Sequence, residues 1–177
     1  MRTVITGASG FLGNNLAAAL LDDGHVVVAA ARARSVALED LDVEFAEIDV
    51  LDRRSLVAAF DGADAVFHLA AIISLTGDPD GTVERVNVQG PRNAAEAALE
   101  AGVARFVHCS SVHAYDLQTC GPSLDETGPR TVNAHAPVYD RTKFAGEQQV
   151  RAVVAKGLHA VIVNPTGVFG PRDFGGS

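Results

Sequence analysis

The chain has 177 residues, which is enough for one domain with a sizeable apolar core. Its formal net charge of -8 argues against nucleic acid as a partner, because binding to a phosphate backbone requires a basic surface. Two cysteines, Cys109 and Cys120, are too few for a disulfide framework, and their spacing matches no zinc site. Since no apolar run could span a bilayer and no signal peptide follows Met1, we expect a cytoplasmic protein with neither a membrane partner nor a bound metal.

The first apolar segment, residues 3 to 6, runs into a turn that contains three glycines. Glycine lets the backbone bend tightly and approach a ligand, and the following helix begins with unsatisfied amide groups that favour an anion. A second apolar segment at 26 to 31 follows at the distance expected of a dinucleotide-binding unit. We therefore predict a pyrophosphate-binding turn formed by Gly7, Ser9, Gly10, Phe11, Leu12 and Gly13. The alternative is a strand-to-helix turn in which glycine serves geometry alone.

Strand-like and helix-like segments alternate along the whole chain. The predicted strands are 3–6, 26–31, 43–48, 65–71, 104–109 and 160–163, and the predicted helices lie near 12–22, 53–60, 83–101 and 139–156. The strands are nearly continuous Val, Ala and Ile runs, which is typical of strands covered on both faces. This pattern predicts an α/β fold, a doubly wound parallel sheet with helices on both faces, in one domain over residues 1–177. The loops 72–81 and 116–137 follow strand ends and are candidate walls or lids of a ligand site.

Arginine rather than an acidic residue follows the second strand, at Arg32 and Arg34. An acid in this place would hydrogen-bond the 2'-hydroxyl of an adenosine ribose, whereas arginine pairs with the 2'-phosphate of NADP. The sequence therefore favours NADP over NAD as the cofactor, with Arg32 beside the phosphate. The alternative is that both arginines are solvated surface charges.

Two further strand ends supply candidate cofactor contacts. Asp49 and Val50 follow the third strand, in a segment that ends at Asp52. The side chains of this segment either reach the adenine or cap the helix that begins near Arg53. The fourth strand ends in residues that allow a ribose and a pyrophosphate to lie close to the backbone, namely Leu69, Ala70 and Ala71. His68, inside that strand, is expected to be a core residue rather than a catalyst.

A strand that ends in paired serines and a helix that carries Tyr139 and Lys143 supply candidate catalytic groups. Tyr139 and Lys143 are four positions apart, which places them on one helical face. A tyrosine with a pKa of about 10 is a poor base at neutral pH, but a nearby ammonium group and an oxidised nicotinamide ring favour the phenolate. We expect Tyr139 to exchange a proton with the substrate oxygen while Ser111 hydrogen-bonds the carbonyl. Lys143 is expected to hold the nicotinamide ribose and to lower the pKa of Tyr139.

Six segments together resemble the extended short-chain dehydrogenase/reductases, the NAD-dependent epimerase/dehydratase family. They are Thr6 to Gly13, Asp64 to Ala71, Asn87 to Gly90, Ser110 to Tyr115, Tyr139 to Lys143 and Asn164 to Pro171. The resemblance implies a Rossmann domain in which Asn87 helps to hold the cofactor or an active-site water. It also implies contacts to the carboxamide from residues 163–168, among them Pro165, Thr166 and Val168. A homodimer formed through the helices near 83–101 and 139–156 is a further implication.

Two departures from the family pattern bear on the function. Family members continue well past Pro171, so we expect most of the substrate domain to be absent here, in a fragment or in a natural truncation. Sugar-nucleotide dehydratases place an Asp-Glu pair where this chain has Val112 and His113, which disfavours dehydration. The leading hypothesis is thus an NADP-dependent oxidoreductase of the dihydroflavonol-reductase-like branch, acting on a carbonyl or an alcohol. The alternatives are an NAD-dependent nucleotide-sugar epimerase and a dinucleotide-binding module without catalysis.

Overall fold

The computed structural model describes residues 1–74 and 76–174, and its six strands form one parallel sheet. The strands are β1 Arg2–Thr6, β2 Val26–Ala31, β3 Glu44–Glu47, β4 Ala65–His68, β5 Arg105–Cys109 and β6 Ala160–Val163. Their order is β3-β2-β1-β4-β5-β6, so the winding direction reverses between β1 and β4. In open α/β sheets a ligand binds at such a reversal, outside the carboxyl ends of the strands. The predicted fold class and the presence of all six predicted strands are confirmed, although the fourth strand ends at His68 rather than at the predicted residue 71.

The main helices are α1 Phe11–Asp22, α2 Arg53–Phe60, α3 Thr82–Glu84, α4 Gly90–Glu100 and α5 Val138–Val154, with 3-10 turns at Val36–Leu38 and Val112–Ala114. The uninterrupted helix predicted near 83–101 is wrong in one respect, because a π-helical turn at Arg85–Gln89 separates α3 from α4. Pro91 explains the interruption. It has no N–H to donate to the carbonyl of Asn87, four residues earlier, so the regular α-helical bond cannot form there.

The sheet has an apolar core on each face. On one face, residues of α2, α4 and α5 pack against alternate strand residues such as Val4, Val66 and Phe106. On the other, α1 and the first 3-10 turn cover β1 and β2, while Val161 and Val163 of β6 remain exposed. Across residues 1–74 and 76–174, no helix is long and apolar enough to cross a membrane.

A polar row crosses the sheet at the carboxyl ends of three neighbouring strands. Thr6, His68 and His108 lie in register on β1, β4 and β5, and both histidines are buried. The rings of His68 and His108 stack with centroids 5.5 Å apart, and Thr6 Oγ1 lies 2.7 Å from His68 Nδ1. His68 is therefore a core residue, as expected. Burial lowers the pKa of His68 to about 3, and burial also holds the pKa of His108 well below its usual value.

These two histidines predict a loss of stability in mild acid. In the unfolded chain they bind protons below about pH 6.5, whereas the folded chain resists protonation, so the free energy of unfolding falls as the pH drops below 6.5. His68, with its pKa of about 3, contributes a loss of about 2 kcal/mol between pH 7 and pH 5, and His108 adds a loss in the same direction. Urea unfolding at both pH values measures it. Replacing His108 by Leu should weaken the pH dependence, and replacing the exposed His135 by Gln should not. Equal stability at pH 5 and pH 7 would contradict this account.

Candidate active site

Two adjoining cavities lie at the carboxyl ends of the strands. The catalytic cavity, of about 410 Å³, is lined by Gly7, Gly10, Phe11, Leu12, Gly13, Leu69, Ala71, Ile73, Cys109, Ser110, Ser111, Tyr139, Lys143, Pro165, Thr166 and Val168. The β2-end cavity, of about 320 Å³, is lined by Gly7, Ser9, Gly10, Ala31, Arg32, Ile48, Asp49, Val50, Leu51, Leu69, Ala70, Ala71, Ile72, Thr82 and Val86. They share Gly7, Gly10, Leu69 and Ala71, so they form one continuous groove across the switch point of the sheet. Every site residue predicted from the sequence lines this groove, except Asn87.

The three-glycine turn brings the backbone close to itself at the centre of the groove. Gly7 has φ +74°, and a Cβ atom there would lie 2.7 Å from the backbone nitrogen of Ala70. A Cβ atom on Gly13 would lie 2.2 Å from the carbonyl oxygen of Gly7. Gly10 caps α1 without a side-chain hydrogen bond, and the first amides of a helix have no partner within the helix, so this helix start favours an anion. The turn fits a pyrophosphate sterically and electrostatically.

The ends of β2 and β3 form the wall of the β2-end cavity. Arg32 lines this cavity, whereas Arg34 lies over the ring of Phe45, with 5.5 Å between the guanidinium carbon and the ring centroid. One of the two alternatives for the acidic segment, the helix cap, is confirmed for Asp52, and the contact of Asp49 to an adenine stays a prediction. Asp52 caps α2 by accepting a hydrogen bond from the amide of Arg54, while Asp49 accepts one from the amide of Leu51 and lines the cavity.

The candidate catalytic side chains meet in the catalytic cavity. Tyr139 and Lys143 lie one turn apart on α5, with Lys143 Nζ 5.7 Å from the centroid of the Tyr139 ring. Lys143 is only 5% exposed and donates a hydrogen bond of 3.1 Å to the carbonyl oxygen of Cys109 at the end of β5. Ser111 caps the second 3-10 turn and lines the same cavity as Tyr139, whose pKa its side chain lowers. The strand end and the helix thus converge on one point.

Burial governs the electrostatics of Tyr139. It raises the pKa of Tyr139 above its ordinary value, and the Ser111 side chain acts in the opposite direction. Burial also lowers the pKa of Lys143. The expectation that Lys143 lowers the pKa of Tyr139 beside an oxidised nicotinamide ring stays a prediction.

Asn87 holds a loop in place rather than lining the groove. It is 2% exposed, its Oδ1 accepts from the amide of Ile72, and its Nδ2 donates to the carbonyl of Ile72 and to Thr142 Oγ1. Ile72 lines the β2-end cavity and Ile73 the catalytic cavity, so the loop 72–81 does provide a wall, as expected. Leu75 of this loop lies outside the described residues. The expected contact of Asn87 to the cofactor or to an active-site water stays a prediction.

The second predicted wall has a different place in the structure. No residue of the loop 116–137 lines the groove in the described part of the chain. The loop instead packs on the segment after Ser111, where Arg130 pairs with Tyr115 in an antiparallel bridge and Thr131 Oγ1 donates to the carbonyl of His113. The loop therefore does not form a wall of the groove in this structure, because these hydrogen bonds hold it beside the groove, and its expected role as a lid stays a prediction.

The segment that leaves β6 is tied to the start of α1 by a group of contacts that we name the C-terminal clasp. Arg172 donates to both carboxylate oxygens of Asp40, at 2.7 and 2.9 Å, and to Asn14 Oδ1 at 2.9 Å. Asn14 donates in return to the carbonyl of Arg172, and Asn15 donates to that of Pro171. These contacts hold Arg172 at φ +66°, a left-handed conformation that is uncommon for a residue with a side chain.

Sequence reasoning missed a buried carboxylate behind the catalytic residues. Glu147 is fully buried and contacts Arg130 and Asn164. The spacing of four residues from Tyr139 to Lys143 and again to Glu147 is a signal that would have placed it on the same helical face.

Comparison with known proteins identifies the family. The sequence matches the model of the NAD dependent epimerase/dehydratase family over residues 3–177. It is 40% identical over 98% of its length to sterol demethylase protein B of Methylococcus capsulatus, covering 53% of that protein. It is 36% identical over 97% of its length to a 3 beta-hydroxysteroid dehydrogenase/Delta 5-->4-isomerase of Mycobacterium tuberculosis, covering 48% of it. The chain thus spans about half the length of these curated relatives.

A solved structure shows the same arrangement of strands and helices. A short-chain dehydrogenase/reductase superfamily protein from Agrobacterium tumefaciens, crystallised with bound NAD, superimposes with a TM-score of 0.80 at 30% identity. The match covers 93% of this chain and 48% of that one. Together with the match to the family model, this likeness shows that the chain belongs to the NAD-dependent epimerase/dehydratase family, the extended short-chain dehydrogenase/reductases.

Proposed function

We propose that this chain is the dinucleotide-binding and catalytic part of an NADP-dependent oxidoreductase that interconverts a carbonyl and an alcohol. One observation carries the proposal: Ser111, Tyr139 and Lys143 line the same cavity as the three-glycine turn. A proton donor, a hydrogen-bond donor and a cation thus lie beside a pyrophosphate cradle. When bound, the nicotinamide cofactor supplies or accepts the hydride, and the residues of the chain handle the proton.

The proposed roles follow from the geometry of the cavity. Tyr139 gives its hydroxyl proton to the oxygen of the carbonyl during reduction and takes it back during oxidation. Its raised pKa keeps the hydroxyl protonated at neutral pH, which suits reduction. Ser111 donates a hydrogen bond to the same oxygen. Lys143 is anchored on the carbonyl of Cys109 and has two further N–H groups, which would donate to the ribose hydroxyls of a bound nicotinamide cofactor.

The preference for NADP rests on Arg32. Its side chain lines the β2-end cavity, in which a 2'-phosphate of the adenosine ribose would lie, and a guanidinium group binds phosphate with charge-assisted hydrogen bonds. Arg34 is the natural comparison, because it is also an arginine but contacts Phe45 rather than this cavity.

Replacing Arg32 by Ala is expected to weaken NADPH binding about tenfold to hundredfold and to leave NADH binding nearly unchanged, because the lost contact is to a charged group. Replacing Arg34 by Ala should leave the ratio of the two affinities unchanged. Parallel fluorescence titrations with NADPH and NADH measure these effects. If the parent chain binds NADH more tightly than NADPH, the assignment of NADP is overturned, and an NAD-dependent nucleotide-sugar epimerase becomes the favoured function.

An epimerase of nucleotide sugars is the second candidate, because the matching family model is named for epimerases and dehydratases. In an epimerase the cofactor is oxidised and reduced in turn, so none is consumed. Purification followed by extraction and absorbance analysis of the bound nucleotide separates the two functions. Tightly retained NAD with no net consumption supports the epimerase, and exchangeable NADPH supports the reductase.

The proposed assembly is a homodimer through the outer faces of the π-helical turn, α4 and α5. A surface groove of about 570 Å³ lies there, and its charged lining includes Arg85, Arg92 and Glu96. Light scattering over a range of protein concentrations, at low and at high salt, measures the mass of the particle. A dimer that weakens as salt is added supports the proposal, and a monomer at all protein concentrations would overturn it.

A further inference from the structure

Glu147 is a carboxylate buried without solvent contact, and no step of the proposed chemistry uses it. It lies one turn beyond Lys143 and two turns beyond Tyr139 on α5. A buried carboxylate costs several kcal/mol of desolvation, and an apolar residue of similar volume is often as stable in such a place. Stability alone is therefore a poor explanation for a charged group at this position.

The contacts of Glu147 lead to Ser111. Asn164, just after β6, donates through one Nδ2 group to Glu147 Oε1 at 2.6 Å and to the carbonyl oxygen of Ser111 at 2.9 Å. One amide nitrogen thus connects the buried carboxylate to the main chain of the serine. Ser111 and Tyr139 line the same cavity, so these hydrogen bonds connect Glu147 of α5 to the serine that shares a cavity with Tyr139 of the same helix.

A second branch holds the backbone that follows Ser111. Arg130 Nη1 donates to Glu147 Oε2 at 3.1 Å, and the guanidinium carbon lies 3.8 Å from the centroid of the Tyr115 ring. Tyr115 and Arg130 also pair as an antiparallel bridge. The 3-10 turn capped by Ser111 is therefore fixed at its beginning by Asn164 and just beyond its end by Arg130, and both anchors meet at Glu147.

We infer that Glu147 is a positioning residue, which holds Ser111 in its place at the wall of the cavity that it shares with Tyr139, through Asn164 and Arg130. The inference rests on the proposed function, because it gives the pair of Ser111 and Tyr139 its catalytic purpose. Glu147 itself touches neither substrate nor cofactor in this account. Arg151 adds a further cation 3.7 Å from Glu147 Oε2, at the exposed side of the network.

The titration of Tyr139 reports the position of Ser111 directly. The chain has two tyrosines and no tryptophan, so the absorbance of tyrosinate at 295 nm, minus that of the Tyr139→Phe counterpart, isolates Tyr139. Ser111→Ala removes the side chain that lowers the pKa of Tyr139, so it should raise that pKa and give the reference shift. Absorbance read within seconds of a pH jump, with circular dichroism at the starting pH, completes the measurement.

Glu147→Met and Asn164→Ala should both raise the pKa of Tyr139 by the shift seen in Ser111→Ala. The double variant S111A/N164A should show no further shift. Glu147→Gln keeps an oxygen that accepts from Asn164, so it should retain the value of the parent. Glu96→Gln, a matched change at an ion-paired carboxylate of α4 that lines neither cavity of the candidate site, should also leave the pKa of Tyr139 unchanged. If Glu147→Met does not fold, Asn164→Ala still tests the inference, because it leaves Glu147 and Arg130 paired.

The inference would be overturned if the pKa of Tyr139 fell, or did not change, in Glu147→Met and Asn164→Ala. Removing a negative charge favours tyrosinate, so a purely electrostatic effect of Glu147→Met would lower the pKa of Tyr139. An unchanged pKa in Asn164→Ala, with a raised one in Ser111→Ala, would show that Ser111 does not depend on the network. The titration needs neither cofactor nor substrate, so an absence of turnover would count against the proposed function and not against this result.

Discussion

Tyr139→Phe is expected to lower turnover by about 10²- to 10⁴-fold, the usual contribution of a positioned general acid or base. The variant lacks only the hydroxyl oxygen, so the ring should keep its edge-to-face contact with His113, whose centroid lies 5.8 Å away. Cofactor affinity should change little, because the turn and Lys143 remain. Initial rates with NADPH and a panel of ketones and aldehydes, together with fluorescence titration of NADPH, measure both quantities.

Tyr115→Phe is the matched control for this experiment. Tyr115 is only 4% exposed, lies beneath the guanidinium group of Arg130 and lines neither cavity. Phenylalanine at this position can keep the contact between the ring and the guanidinium group. Its turnover should remain within a few-fold of the parent, on the scale of an ordinary conservative change. A Tyr139→Phe variant as active as the parent would remove Tyr139 from the proposed chemistry and favour a binding module.

Gly13→Ala is expected to abolish dinucleotide binding and to lower the free energy of unfolding by about 1–3 kcal/mol or more. The added Cβ would lie 2.2 Å from the carbonyl oxygen of Gly7 and 2.8 Å from the Cα of Ala8. Both atoms belong to the backbone of the cradle, so relief of the clash must move the turn that binds the pyrophosphate. Urea unfolding and titration with NADPH and NADH would measure the two losses.

Gly121→Ala provides the comparison. Its Cβ would meet no described atom within 4 Å, and its φ angle is not in the left-handed region, so stability and binding should be nearly unchanged. Retention of parental affinity by Gly13→Ala would show that the turn does not depend on close approach of its backbone. The three glycines would then serve only to form a strand-to-helix turn, without a role in binding a pyrophosphate.

The groove could be predicted from the sequence because its residues follow strand ends. Gly7, Arg32, Asp49, Leu69 and Ser111 each come directly after an apolar run, and parallel strands bring their carboxyl ends to one edge of the sheet. The periodicity of α5 likewise placed Tyr139 and Lys143 together. These are local signals, and the topology of a parallel sheet turns them into spatial neighbours.

What the sequence did not predict depends on contacts between distant residues. Asn87 could be assigned a ligand contact only by resemblance, whereas its partners Ile72 and Thr142 are 15 and 55 positions away. The pKa of Tyr139 depends on burial, which no spacing reveals. The link from Asn164 to Ser111 spans 53 positions and joins a side chain to a carbonyl, for which no motif exists.

The C-terminal clasp has a consequence for the order of events during synthesis. Its hydrogen bonds join Asn14 and Arg172, which are 158 positions apart. Asn14 stands one residue after the last glycine of the cradle, so this part of α1 gains its final partners only when residue 172 has left the ribosome. Contacts of such separation close late, since their loop-closure entropy must first be overcome. A nascent chain should therefore acquire the sheet from β1 to β5 before its cofactor turn becomes fully ordered.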